Sequence, residues 1–409
     1  MLKKYIKTTE RIQLSSTFLV ILLLVAVIGC TGSDRKIQAP DHILEMENVT
    51  IFTSEDIESA DTLSLVPEQV FRDTDENPIT RFGTVIADDF GRVLIGDSQQ
   101  QVIHVFQQDG HYLGKIGGEG DGPGEFRWVG GMNIHDNRLF AYDVNGRRVN
   151  LFELGSDARN LPEYKVAIVI GGESWDSFPE PGFMNPGFQS VKSDGSLLLT
   201  SRTSPILYRE NPDSIGVRRY YSWSGDHSHK PEAILDIPEP KHIVTEWFLI
   251  PPPFESRGLF AMTSDDRIYT ANTAEILIHS HDAEGNDLSS YYYPFENREL
   301  TRREAVESVD DHVQLRDAVQ SMQIPGTWPA LQQMFADDFG RIWISVYTEN
   351  KNTAEWWVLE ESGGLLARFD LSDELSIARV DQNHLYTRET DEETGLQQVV
   401  RYRIEFKES

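Results

Sequence analysis

Across its 409 residues the chain sets 37 Lys and Arg against 66 Asp and Glu, a formal net charge of -29, so nucleic acid and anionic membrane surfaces are poor partners. The chain has one cysteine, Cys30, which excludes an internal disulfide and leaves stability to a hydrophobic core that a chain of this length can build.

In chain order, the first segment carries Lys3, Lys4, Lys7 and Arg11 and then an uncharged apolar stretch from Phe18 to Ile28. This is the n-region and h-region order of a signal peptide, and the run is well short of the roughly 20 residues a membrane-spanning helix needs. Val27-Ile28-Gly29-Cys30 then resembles the lipobox of bacterial lipoproteins. The resemblance implies that residues 1–29 are a lipoprotein signal peptide and that Cys30 is lipidated, anchoring the chain to the membrane with no polypeptide entering the bilayer; two or three acyl chains hold firmly where one holds marginally. Thr31, in place of the Asp that marks inner-membrane retention, implies the outer membrane of the cell envelope, with its periplasmic and surface faces both open. A packed, idle thiol is the alternative for Cys30.

Residues 30–47 are polar, contain Pro40 and read as a flexible tether. From residue 48 to 409, short β-rich runs alternate with Asp-Gly, Asn-Gly and Asp-Asp turns, an all-β pattern. One unit recurs. Ile86-Ala87-Asp88-Asp89-Phe90-Gly91-Arg92-Val93-Leu94-Ile95 returns as Phe335-Ala336-Asp337-Asp338-Phe339-Gly340-Arg341-Ile342-Trp343-Ile344, an apolar strand, a tight acidic turn and a returning strand. Weaker copies begin at Met132, Val191, Phe260 and Ile377, giving six hairpins. After the first hairpin, Val102–Phe106 and Tyr112–Ile116 supply two further strands, so the unit is a four-stranded antiparallel blade and the fold class is a six-bladed β-propeller in a single domain. Val49-Thr50-Ile51-Phe52 is expected to close the ring beside Val399–Ile404. A β-solenoid or a two-sheet sandwich is the alternative.

Residues 298–322 break the pattern: Ala305, Val306, Val309, Val313, Leu315, Ala318, Val319 and Met322 fall at helical spacing, which predicts one or two helices inserted between blades. They are expected either to lie over a face as a docking element or to fill an edge.

The stretch from Gly83 to Glu153 resembles the NHL-repeat propellers, through Gly96-Asp97-Ser98, Val102–Phe106, the turn Asp109-Gly110 and the Gly-rich link Ile116 to Phe126, with Tyr142-Asp143 and Leu151-Phe152 repeating the theme. The whole chain is similar to six-bladed propeller lipoproteins of the Bacteroidetes. The resemblance implies the fold; it assigns no activity.

Candidate chemistry is thin. The Gly117 to Gly124 link is followed by Glu125 and a strand rather than by Lys-Ser or Lys-Thr on a helix, so it is a blade link and not a phosphate cradle. His227 with His229 and His279 with His281 could each point two rings one way, near Asp282, as a four-nitrogen zinc site, or be ordinary surface histidines. Six-bladed lactonases resemble this fold and hold calcium or zinc on the axis; no acid here aligns with those ligand positions, and no serine sits in Gly-x-Ser-x-Gly. Aromatic residues cluster at Trp175, Phe178, Phe183 and Phe188, and at Trp247, Phe248 and Phe254 beside Pro251-Pro252-Pro253, suited to peptide or glycan contacts or to packing between blades. The leading expectation is a monomeric, non-enzymatic scaffold that binds a protein, peptide or glycan, with no cofactor. The alternative is a calcium- or zinc-dependent hydrolase, lactonase or lyase with its site on the axis.

Overall fold

A computed structural model describes residues 39–72, 78–171, 175, 178–246, 248–309, 313–348 and 353–407. These belong to the contact unit that begins at Ala39; Cys30 and Trp247 lie outside the described residues.

Six antiparallel sheets follow one another along the chain. Blade 1 is Phe82–Ala87, Val93–Asp97, Val102–Phe106 and Tyr112–Gly117. Blade 2 is Val129–His135, Arg138–Asp143, Arg148–Glu153 and Glu163–Val169. Blade 3 is Gly187–Val191, Leu197–Arg202, Val217–Trp223 and Glu232–Pro238. Blade 4 is Gly258–Met262, Ile268–Asn272, Ile276–His281 and Asp287–Tyr293, and blade 5 is Leu331–Ala336, Ile342–Val346, Thr353–Leu359 and Leu365–Ser372. Blade 6 takes Ser376–Val380, His384–Thr390 and Gln397–Lys407 from the carboxyl end and its outer strand, Asp61–Arg72, from the amino end.

That outer strand corrects the expected closure. Asp61–Arg72 runs antiparallel to Gln397–Lys407, with Leu65 opposite Ile404 and Val70 opposite Val400. Val49–Ile51 instead adds in parallel to the edge of blade 4, opposite Ser290–Tyr292. Pro67 hides the closing strand from a sequence reader, because proline interrupts a strand run; here it sits where the register shifts between Pro67 and Gln69, on an edge strand. The amino-terminal segment is thus a strap along three blades. Ile43 is fully buried against Leu277 and Tyr292 of blade 4, Phe52 stacks on Tyr293 at 4.4 Å, and Asp61 and Thr62 pair with Ala367 and Arg368 of blade 5 before the strand enters blade 6. Within the stretch expected as tether, Asp41–Leu44 forms one helical turn.

The sheets form a closed ring because each inter-blade gap holds its own apolar layer. Ile103 and Val105 meet Val129 and Leu139 between blades 1 and 2; Tyr142 and Val149 meet Leu199 and Trp223 between blades 2 and 3. Leu198 and Tyr220 face Phe260 and Met262, and Tyr269 and Tyr293 face Ile344 and Trp357. Trp343 and Val358 meet Leu63 and Leu385, and Phe71 and Tyr386 meet Val85 and Phe106, which joins blade 6 to blade 1. Central strands such as Val93–Asp97 and Ile342–Val346 are buried along their whole length, since both faces abut a neighbouring blade, and so read as continuous apolar runs. A fully buried large apolar side chain contributes about 1.5–3 kcal/mol, against about 1 for a net hydrogen bond, so these layers hold the ring.

The repeated acidic turns occupy equivalent places. Asp88 Oδ1 accepts the backbone N–H of Phe90 and Arg92, and Asp88 Oδ2 accepts Arg92 Nε at 2.7 Å. Asp337 does the same for Phe339, Arg341 and Arg341 Nε. Each arginine then reaches the next blade's connections: Arg92 donates to the carbonyls of Asn160 and Leu154, Arg341 to that of Gln382. The repeated motif is therefore a staple between adjacent blades, with Gly91 and Gly340 at positive φ closing the turn.

Candidate functional site

In every blade the first strand lies nearest the axis. Among the described residues, these six inner strands contribute no Asp or Glu to the channel. Acidic side chains reach the axis instead from the hairpin turns, as Asp337 and Asp338 do. The remaining surface divides by topology. Hairpin turns between first and second strands project at one end of the ring; links from each outer strand to the next inner strand, together with second-to-third strand connections, project at the other.

At the latter end, the link from Tyr293 to Leu331 carries the inserted segment, as two short helices, Arg302–Glu307 and Val313–Ser321. Thr301 starts the first with a capping box: its hydroxyl accepts the Glu304 N–H at 3.2 Å while Glu304 Oε2 accepts the Thr301 N–H at 3.1 Å. Arg302 Nη1 donates to the carbonyls of Val319 and Met322, closing the far end of the second helix. The base of the insertion is zipped by Trp328 N–H to Arg298 O at 2.8 Å and Leu300 N–H to Gly326 O at 3.0 Å. Beneath the helices Ile243, Phe254, Leu300, Ala305, Leu315 and Val319 form a separate core, which the hairpin Ile243–Val244 and Leu249–Ile250 completes. The Pro-rich link before blade 4 and the insertion after it are thereby one element.

This element walls a recess of about 380 Å³ lined by Arg298, Glu304, Trp328, Tyr347, Asp373 and Pro253, among others. A second depression of about 590 Å³ shares Arg298, Glu304, Tyr347 and Thr348 and adds Glu296 and Glu299. Arg298 is held on two sides: its Nη1 donates to Glu304 Oε1 at 2.8 Å and its guanidinium lies 5.0 Å from the Trp328 ring. Trp328 and Tyr347 are 5.5 Å apart, centre to centre. Burial pushes the Tyr347 phenol above its ordinary range, so it stays protonated and can donate. Trp328 is 7% exposed and its indole Nε1 has no acceptor among the described residues. With Arg298 neutralised by Glu304, the carboxylates of Glu307, Asp373, Glu296 and Glu299 give the recess a negative rim around an aromatic floor.

The histidine pairs do not assemble a metal centre. His227 packs on Trp223 and the exposed His229 sits 3.0 Å from Asp226. In blade 4, His279 Nδ1 meets Ser290 Oγ at 2.9 Å, and His281 lies 2.9 Å from both Thr270 Oγ1 and Asp287 Oδ1. Asp282 caps a turn by accepting the N–H groups of Glu284 and Asn286. Among the described residues no group of three or more His, Cys, Asp and Glu is placed to hold a metal. Of the aromatic residues, Trp175 and Phe178 pack edge-on against Trp223 and Tyr221, Phe188 is buried, and Phe183 lies under Arg219. Phe248 and Phe254 belong to the insertion's core. Trp328 and Tyr347 were not distinguishable in the sequence, since each stands alone on a loop; the Thr301 to Glu304 capping box was the readable signal nearby.

These features define a six-bladed β-propeller with a helical insertion between its fourth and fifth blades. Residues 41–173 match the family model DUF5128, described as 6-bladed beta-propeller. A member of the DUF4221 family from Bacteroides vulgatus is similar in structure at 12% identity and a TM-score of 0.51, over 85% of this chain and 99% of that one. A protein of Bacteroides fragilis described as exported has 13% identity and a TM-score of 0.47 over 88% and 99%, and virginiamycin B lyase from Staphylococcus aureus 10% and 0.38 over 83% and 99%. Identities this low show fold alone. A search of the curated proteins found no match. No helix among the described residues is long and apolar enough to cross a membrane.

Proposed function

We propose that the chain is a monomeric binding protein of the bacterial envelope, lipid-anchored at Cys30, that holds a basic segment of a partner protein in the recess beside Trp328 and Tyr347. The observation that carries the reading is the recess itself: an aromatic floor, a rim on which, among the described lining residues, carboxylates outnumber the one arginine, itself neutralised by Glu304, and a supporting core of its own beneath the helices. Its volume falls in the range of ligand sites, and flat rings bury much area at low entropic cost. The location rests on the lipobox-like Val27 to Cys30.

Selection of displayed random peptides on the full-length protein tests the site. The expected outcome is enrichment of Lys and Arg, with Tyr347→Ala weakening the selected peptides at least tenfold, about 1.4 kcal/mol. Selection of neutral glycans from an array, with no peptide enriched, would refute the choice of partner. Anchoring is tested separately: Cys30→Ser is expected to abolish palmitate incorporation and to release the protein from the membrane fraction.

A further inference from the structure

The opposite end of the ring has its own cavity, separate from the recess beside Trp328. On the axis, at the mouth formed by the acidic hairpin turns, a chamber of about 240 Å³ is lined by Asn133, His135, Ser190, Thr263, Asp338 and Arg379, among others, drawn from all six blades. It adjoins a groove of about 520 Å³ between blades 6 and 1, where Asp89, Phe90, Gln108, Asp381 and His384 take part. Ile134, Asp338 and Arg379 line both, so the two are lobes of one space. In the shared wall Arg379 Nη2 donates to Asp338 Oδ2 at 2.9 Å, and on the chamber wall Asn133 Nδ2 donates to Ser190 Oγ at 3.1 Å.

The lining narrows the chemistry of an occupant. A large apolar molecule would leave these polar groups unpaired. An anion would meet Asp89, Asp338 and Asp381. A bare cation would find Asp88 engaged by Arg92, Asp337 by Arg341 and Trp343, Asp381 by His384 and Tyr386 and Asp338 by Arg379, which among the described lining residues leaves Asp89 alone, too few ligands for an ion. What remains is a neutral molecule that both donates and accepts at short intervals. Vicinal hydroxyl groups do this, donating to carboxylate and amide oxygens while accepting from guanidinium and amide N–H groups.

We propose that this axial cavity is a second binding site, for one or two units of a neutral saccharide, with Asp338, Arg379 and Asn133 as the recognising side chains and the half-buried Phe90 ring at the rim. Its position at the other end of the ring lets it be filled independently of the recess beside Trp328. The test is saturation-transfer NMR on the full-length protein with a panel of neutral hexoses, N-acetylhexosamines and their disaccharides at about 10 mM, high enough to detect millimolar affinity. At least one member is expected to show transfer, weakened tenfold or more by Asp338→Asn and by Asn133→Ala and unchanged by Tyr347→Ala. Circular dichroism and the melting midpoint establish that each variant is folded. No transfer from any member overturns the proposal. So does transfer that survives both cavity variants, or that is lost with Tyr347→Ala, which would move saccharide recognition to the recess.

Discussion

Replacing Arg92 by methionine isolates what one inter-blade staple contributes. The Arg92 side chain is fully buried and that of Asp88 is 1% exposed, with Nε and Oδ2 2.7 Å apart. Methionine keeps much of the volume and removes the charge, leaving the Asp88 carboxylate in the interior with only its two backbone donors, and it orphans the carbonyls of Asn160 and Leu154. Breaking a buried pair from one side costs about 3–5 kcal/mol. Arg341 makes the same contacts to Asp337 with its side chain 14% exposed, so water can partly replace it, and Arg341→Met should cost less than half as much. Urea unfolding followed by tryptophan fluorescence reads both. The double change Asp88→Asn with Arg92→Met should recover part of the loss, since no bare charge is left behind. A cost for Arg92→Met under about 1 kcal/mol, or no greater than that of Arg341→Met, would refute the assignment of these arginines as inter-blade staples.

Three other consequences can be measured. Ile43→Asp should free the strap from blade 4 while the ring stays folded, seen as faster hydrogen exchange at Ser290 and Phe52, whose amides bond across that edge; unchanged exchange would mean the strap is held from elsewhere. His242, His279 and His281 all have pKa values pushed below their ordinary 6.5 by burial. The unfolded chain therefore binds protons first as pH falls, so their contribution is intact above 6.5 and drains away below it, and urea midpoints should drop between pH 7.5 and 5.5 by less in a His279→Gln, His281→Gln double variant. A second, lower window belongs to Asp97 and Asp194. Their carboxyls are held below the usual range, against a desolvation that for Asp97 is the largest single effect, by donors such as Thr80 and Ser196, and their contribution is lost only as pH falls below about 4.

The ring was legible because its repeat carries chemistry as well as pattern. Asp88 and Asp337 recur with an arginine four positions on, and the structure shows why that spacing is needed: one carboxylate caps the turn and orients the guanidinium toward the next blade. The helical insertion was legible through its 3.6-residue spacing. The closing strand was not, because Pro67 argues against a strand unless its bulge is known, and bulges are set by a partner more than three hundred residues away. The recess was half legible. Loops flagged as aromatic and Pro-rich do meet the insertion, but Trp175, Phe178 and Phe188 serve packing, and nothing local separates them from Trp328 and Tyr347, whose roles depend on which neighbours the ring brings beside them.

Arg403 and Glu68, 335 positions apart, are ion-paired across the closing seam. On a ribosome the strand that includes Glu68 emerges before all of blades 1 to 5 and can find its partner only after they have been made. Until then five sheets can stack while the seam stands open, with Phe71 and Val85 lacking the layer that Tyr386 and Val399 will supply. Closure is therefore the slow, topologically distant step, and while blades 1 to 5 are being made the nascent ring is an unsealed arc with an exposed apolar seam.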